Sequence, residues 1–323
     1  MPELLLGLNV NVKHVMEIIA ESAAMKGLIR DAMQVAKSHA SVFISGESGT
    51  GKEVIAQLIH AHSLRSKKPF IKVNCAAIAQ NLIESEFFGH ERGAFTGALQ
   101  RRLGRLECAH EGTLLLDEVT EIPTSLQAKL LRAIQEKEFE RVGGNQLVRV
   151  DVRFVATSNR DMKQAIEEKL FREDLYYRLN VIPLAILPLR ERKEDILPLA
   201  NYFLELCSRE NQLPLKTLSA NAKETLLAYN WPGNVRELRN AMERALIMTG
   251  GSQIEEAHFH FDVETHGSLG LTLYEMERKH ILETLASNKG RRGVTAEKLG
   301  ISVRTLRNKL SEYQKGSSQL PLF

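Results

Sequence analysis

The chain has 323 residues, a hydrophobic content of 43%, a charged content of 26% and a formal net charge of +3. That is room for one large domain and one or two small ones, in ordinary globular proportions. So mild a charge excludes a chain that is basic throughout, and any nucleic-acid contact must come from a local patch. Cys75, Cys108 and Cys207 are odd in number and far apart, which fits neither a disulfide framework nor a zinc site and agrees with a reducing cytosol. No apolar run reaches membrane-spanning length, and the stretch from Met1 to Leu6 lacks the basic region of a signal peptide. The expected location is the cytoplasm, with no membrane partner.

From about Ile18 to Leu189, short β-rich runs alternate with helical patterns, which predicts an α/β fold with a mainly parallel sheet. The predicted strands are Val42-Phe43-Ile44, Phe70 to Val73, Thr113 to Leu116, Val152 to Ala156 and Val181-Ile182. Glu140 to Asn145 reads as a hairpin turn leading into the fourth strand. Beyond Pro188 the pattern predicts helices over Ile196–Glu210, Ala220–Tyr229 and Val235–Met248, the last with Asn234 as N-cap and Glu237 three residues on. Asp262–Gly270 reads as a linker, and Thr272 with Glu275 as the capping box of a final helical module. The expected organisation is an N-terminal segment (1–17), an α/β subdomain (18–190), a helical lid (191–261), a linker (262–270), a helix-turn-helix domain (271–315) and a tail (316–323). His60 with His62, and His258 with His260, have the i,i+2 spacing of one strand face and no further ligands at metal-site spacing.

The clearest chemistry is Gly46-Glu47-Ser48-Gly49-Thr50-Gly51-Lys52, a GxxxxGK run between a β run and an amphipathic helix. Backbone N–H groups and the helix N-terminus cradle phosphates there, while Lys52 reaches the β- and γ-phosphates. Glu53 stands where Ser or Thr is usual and removes a hydroxyl that would bind Mg²⁺, so Asp117 must carry more of the metal, through water. Leu114-Leu115-Leu116-Asp117-Glu118 is an apolar strand ending in two carboxylates, with Asp117 suited to Mg²⁺ and Glu118 to polarising the attacking water. Together these predict ATP hydrolysis with ATP and Mg²⁺ as cofactors. Between the two motifs lies Gly93-Ala94-Phe95-Thr96-Gly97-Ala98, a sterically bare turn with nothing to anchor a core. Its Phe either folds back onto the protein or meets a partner.

The P-loop, the Asp-Glu strand and the Gly-Ala-Phe-Thr-Gly-Ala insertion, with Phe88-Gly89-His90-Glu91 and Leu187-Pro188-Leu189-Arg190-Glu191-Arg192, resemble the AAA+ domain of bacterial enhancer-binding proteins, the sigma-54-dependent activators. The resemblance runs from about residue 18 to 260. It implies that the 93–98 loop contacts sigma-54 RNA polymerase when the γ-phosphate is bound, and that the protein works as a hexameric ring which remodels a closed promoter complex. It implies further that Asn74 switches Glu118 between orientations, that Asn159 reads the γ-phosphate as sensor I, and that Arg236 is the lid's sensor II. Ser158 is a mild departure that leaves Asn159 in place. Arg172 and Arg178 resemble arginine fingers donated to a neighbouring subunit, worth on the order of 10³-fold in turnover each; read from the residues alone, they are equally surface ion pairs. Family members often carry a receiver or ligand-sensing domain, as in two-component regulation. The few residues before Ile18 imply either a separate sensory partner or a chain that begins after such a domain.

The final module reads as a helix over Val294–Leu299, a Gly300-Ile301 turn, Ser302 as N-cap and a recognition helix over Val303–Tyr313, with a small core from Leu299, Ile301, Leu306 and Leu310. Between Arg291 and Lys315 seven basic residues face two acids, a local excess of +5. That is a footprint for double-stranded DNA. The expected DNA-binding residues are Ser302, Arg304, Thr305, Arg307, Asn308 and Lys309, with Arg304, Arg307 and Asn308 early enough to reach base edges. The module resembles the Fis-type domain of the same family. A different AAA+ machine would lack the Phe95-Thr96 loop, and a repressor using its ATPase only for assembly should have lost Lys52, Asp117, Glu118, Arg172 or Arg178.

Overall fold

The computed structural model describes residues 18–259 and 261 and, further on, 277–278, 280–282, 284–285, 288 and 290–316. The expectations for the N-terminal segment, the linker, the Thr272–Glu275 box, His260 and the tail lie outside these residues. The chain divides into two compact units, one ending at His260 and one beginning at Phe261.

The first unit is built on five parallel strands: β1 (Val42–Ser45), β2 (Phe70–Asn74), β3 (Thr113–Asp117), β6 (Arg153–Ser158) and β7 (Ile182–Ala185), in the order β2-β3-β6-β1-β7. A short antiparallel hairpin, β4 (Glu138–Glu140) with β5 (Leu147–Arg149), stands apart from it. Strand residues point alternately to the two faces, and both faces are covered. Phe43, Leu114, Leu116, Phe154 and Ala156 share one core. Val42, Ile44, Leu115 and Val155 share the other with helices α1 (Ala23–Ala36) and α2 (Lys52–Ala61). Burial on both sides explains why the central strands read as continuous apolar runs rather than alternating ones.

Two local readings are corrected. The last strand runs Ile182–Ala185 rather than over Val181-Ile182. It includes Pro183, which the edge position tolerates because one side of an edge strand needs no ladder partner. His60 lies on α2 and His62 at its C-cap, not on a strand. The His60 Nδ1 meets Thr113 Oγ1 at 3.0 Å and its ring stacks on Phe70. Burial lowers the pKa of His60 below the usual histidine value, so it packs as a neutral ring.

Beyond the sheet, α3 (Ile196–Asn211), α4 (Ala220–Ala228) and α5 (Asn234–Met248) form the lid. Trp231 is fully buried between α4 and α5, its Nε1 donating to the Leu226 carbonyl at 2.9 Å and its ring edge-on to Tyr229. In the second unit, Arg292–Lys298 and Val303–Gly316 are helical. Ile281, Ala296, Leu306 and Tyr313 form its core, with Leu299, Ile301 and Leu310 packed alongside.

Arg153 fastens α1 to the sheet. Its guanidinium is buried and donates to the carbonyls of Val35, Ala36 and Ala40, satisfying the end of the helix. Burial lowers its pKa to about 10. Arg153→Leu strands the Ala36 and Ala40 carbonyls, while Val35 keeps its bonds from Ser38, and the expected cost is about 3 kcal/mol. Urea unfolding of the full chain measures it.

Candidate active site

The phosphate-binding loop leaves the carboxyl end of β1, beside β6, with Gly46 N donating to Ser158 O at 3.2 Å. Gly49 has φ +77, and a Cβ there would meet the Gly233 carbonyl at 2.3 Å, so both backbone conformation and space require glycine. Lys52 opens α2, and its ammonium donates to the carbonyls of Gly46 and Glu47 at 2.7 and 2.9 Å. Burial lowers its pKa, while Asp117 and Glu118 act to keep it charged.

The lid grips this loop. Arg190 makes two hydrogen bonds to the Glu47 carboxylate, at 2.9 and 2.5 Å, and so holds its pKa below the ordinary value. Asn234, fully buried, donates to Glu47 Oε2 at 3.1 Å and Ser48 O at 3.0 Å while accepting from Leu189 N at 2.7 Å. The N-cap of α5 is therefore Gly233, whose amide donates to Glu237 Oε2 at 2.8 Å. The expectation that Asn234 caps the helix fails because its amide is committed to the loop. Arg236 Nη1 donates to Ser48 Oγ at 3.2 Å, in preference to pairing with Glu237.

Asp117 ends β3, with Glu118 next in a left-handed conformation, φ 54. For a non-glycine residue that costs roughly 1 kcal/mol. A hydroxyl on the neighbouring strand holds the turn: Thr157 Oγ1 donates to Asp117 Oδ1 at 2.5 Å and accepts from Glu118 N at 3.2 Å. Asn74 stands opposite Asp117 across the ladder. Its Oδ1 accepts from Ala76 N and Ala77 N, and its Nδ2 lies 3.5 Å from Asp117 Oδ2, so it meets Asp117 and not Glu118. Glu53 faces Lys72 and Gln57. Asn159 is exposed just beyond β6.

These groups border one cleft of about 320 Å³, lined by Ser48 to Ile55, Asp117, Glu118, Arg192 and Arg236, with Ile18, Ile19, Leu199, Tyr202 and Phe203 as an apolar end. Asn74, Asn159, Arg172 and Arg178 are not among its lining residues. Arg172 pairs with Asp174 at 2.7 Å. Arg178 borders a separate cavity of about 570 Å³ with His39, Arg65, Lys137 and Asp151. The sequence reading missed Thr157 and Asn234. The one signal for Thr157 was a hydroxyl at the end of an apolar strand.

The 93–98 loop closes on itself, with Gly93 N donating to Ala98 O and Ala98 N to Phe95 O, and with φ +81 at Gly93 and +103 at Gly97. Phe95 is 40% exposed and edge-on to His90. Ala98 is buried, so the loop is not wholly without anchorage. At its base Arg141 joins Glu91 and Glu107 at 3.0 and 2.5 Å. In the second unit, Ser302 Oγ accepts from Thr305 N at 3.0 Å and meets Thr305 Oγ1 at 2.8 Å. Arg304, Thr305, Arg307 and Asn308 are exposed, whereas Lys309 pairs with Glu277 at 2.7 Å and is thereby drawn toward the module's own packing.

A parallel sheet with a P-loop at the end of β1, a carboxylate pair at the end of β3 and a helical lid bordering the same cleft defines an AAA+ ATPase. Residues 18–185 match the sigma-54 interaction domain, 190–270 the AAA+ ATPase lid domain and 272–313 the Fis family of bacterial regulatory proteins. The chain belongs to the sigma-54-dependent transcriptional activators, ATPases with a Fis-type helix-turn-helix. It is 49% identical to the transcriptional regulatory protein FlbD of Caulobacter vibrioides, over 94% of this chain and 72% of FlbD. It is 50% identical to the regulatory protein AtoC of Escherichia coli, over 92% of this chain and 67% of AtoC. Among solved structures, NtrX from Brucella abortus in complex with ATP superposes with a TM-score of 0.72 at 34% identity, covering 92% of this chain and 69% of NtrX.

Thr157→Val removes both hydrogen bonds that shape the Asp117–Glu118 turn. ATP turnover should fall about 10- to 100-fold while the ADP dissociation constant stays within about twofold, because the loop that holds phosphate is untouched. Steady-state ATPase and ADP titration read the two separately.

Proposed function

We propose that the protein binds upstream DNA through its C-terminal unit, assembles into a hexameric ring in the cytoplasm and uses ATP hydrolysis to convert sigma-54 RNA polymerase from the closed to the open promoter complex. The observation that carries this reading is one α/β unit holding both a completed phosphate cleft and a slim, self-closed loop that exposes Phe95.

Within the cleft, Gly46 to Lys52 would hold the phosphates and Lys52 would answer their charge. The hard carboxylate oxygens of Asp117 suit Mg²⁺, which usually takes one or two carboxylates together with phosphate oxygens and water. Glu53 is turned to Lys72, so the metal would rest on Asp117, and bound there it would offset charge on the phosphates. Glu118 would orient the attacking water, Asn74 would steady Asp117 beside it, and Arg236 would follow the phosphates from the lid. Asn159 would join them through a shift of the segment beyond β6.

Arg172 and Arg178 lie outside the cleft of their own subunit, which supports a role across a ring interface. Arg172 must first leave Asp174, an exposed pair of little strength. On the DNA unit, Arg304, Thr305, Arg307 and Asn308 would meet the major groove, with Ser302 fixing the helix start and Lys309 at its margin. Control would come from a sensory partner or domain, as in two-component regulation.

Phe95 and Thr96 are the proposed contact to sigma-54, separate from the chemistry. Thr96→Ala should keep ATPase activity within about twofold and abolish open-complex formation, since Thr96 is exposed and is not among the residues that line the cleft. Permanganate footprinting at a sigma-54 promoter, run beside an ATPase assay, tests this. Equal loss of both activities overturns it.

A further inference from the structure

One buried ion pair outside the catalytic groups joins two walls of the cleft. Residues 18–22 form a strap without regular secondary structure before α1, and Ile18 and Ile19 line the apolar end of the cleft. The strap is held by one carboxylate. Asp195 Oδ1 accepts from Glu21 N at 2.6 Å and Ser22 N at 2.7 Å, and its Oδ2 accepts from Ser22 Oγ at 2.8 Å. Asp195 is completely buried, at the start of the lid helix α3.

Arg192 stands between this carboxylate and the phosphate loop. Its Nη2 donates to the Thr50 carbonyl at 2.8 Å, and its Nη1 lies 4.0 Å from Asp195 Oδ2 and 3.1 Å from Met25 Sδ. It is 3% exposed, and its Nε, also buried, has no hydrogen-bond partner among the described residues. A buried cation cannot give up either oxygen without leaving charge uncompensated. Movement of the strap therefore pulls on Asp195, then on Arg192, and so on Thr50, two residues before Lys52.

We propose that Arg192 and Asp195 are positioning residues that lock the strap to the phosphate loop, so that nucleotide affinity and strap order depend on one another. This rests on the cleft being the ATP site. Neither residue touches the Asp117–Glu118 turn, so the pair governs binding rather than the chemical step. By linkage, nucleotide that settles the loop must settle the strap to the same degree. Any force applied to residues 18–22 then becomes a change in ATP affinity.

The test uses the full chain, native and as Arg192→Lys and Asp195→Asn. Lysine keeps the charge but reaches only one partner. Asparagine keeps an acceptor for the strap amides and loses the charge opposite Arg192. In the native chain ADP should slow amide hydrogen exchange at Glu21 and Ser22 about tenfold or more. Either variant should cut that slowing below about threefold and raise KM for ATP about tenfold, with kcat changed less than about threefold. Unchanged KM with the ADP effect on exchange intact overturns the proposal, as does loss of kcat at constant KM. Failure of ADP to bind the native chain at all would instead overturn the nucleotide reading. If one variant does not fold, the other carries the same comparison.

Discussion

A single buried amide ties the phosphate loop to the lid. Asn234 donates to Glu47 and Ser48 on the loop and accepts from Leu189 in the turn that leads into the lid, while its own backbone sits in the left-handed region, φ 53. That conformation costs about 1 kcal/mol in a non-glycine residue. The hydrogen bonds made there offset it, and leaving any of those buried partners unmatched would cost about 1–3 kcal/mol. The loop's shape is therefore not a property of its glycines alone. It is set by the lid, through Asn234, Arg190 and Arg236 together, and a rigid-body movement of the lid must change the phosphate contacts.

The same dependence runs across the sheet. β1, β6 and β3 are neighbours, so Gly46, Ser158 and Asp117 come to one rim at the carboxyl ends of the strands. Thr157 joins β6 to the Asp117–Glu118 turn with one hydroxyl, and Asn74 reaches Asp117 from β2. On the far side of β2, the chain leads to the 93–98 loop, whose base is held by Arg141 between Glu91 and Glu107. Glu107 raises the already high pKa of that guanidinium, with Glu91 adding to it, so the base stays charged and intact. Gly143 packs so closely on the loop that a Cβ there would lie 2.6 Å from the Ala94 Cβ. Such a loop can shift as a unit on a fixed footing, which is what a population shift driven by nucleotide requires.

Legibility in the sequence followed contact distance. The P-loop and the Leu-Leu-Leu-Asp-Glu strand were readable because each carries its chemistry in one contiguous run, with the strand or helix that positions it next door. The buried strands were readable from their apolar runs, and the helix-turn-helix from Gly300, Ser302 and the leucines around them. Asn234 was misread as a cap because that is the commonest reason for Asn before a helix, whereas its partners lie 186 and 187 residues away. Thr157 lay just past the predicted strand and drew no reading of its own until the register put it beside Asp117. The pairing of Lys309 with Glu277 was not readable, because the two lie 32 residues apart in the chain. Pro183 cut the fifth predicted strand short, because only edge placement makes a proline acceptable there.

The coupling of cleft to loop is open to one direct measurement: capture of sigma-54 by the full chain with ADP plus aluminium fluoride, against ADP alone. If the phosphate contacts govern the loop, sigma-54 is retained with the transition-state mimic and released with ADP. Equal retention in both nucleotide states, or in neither, contradicts it.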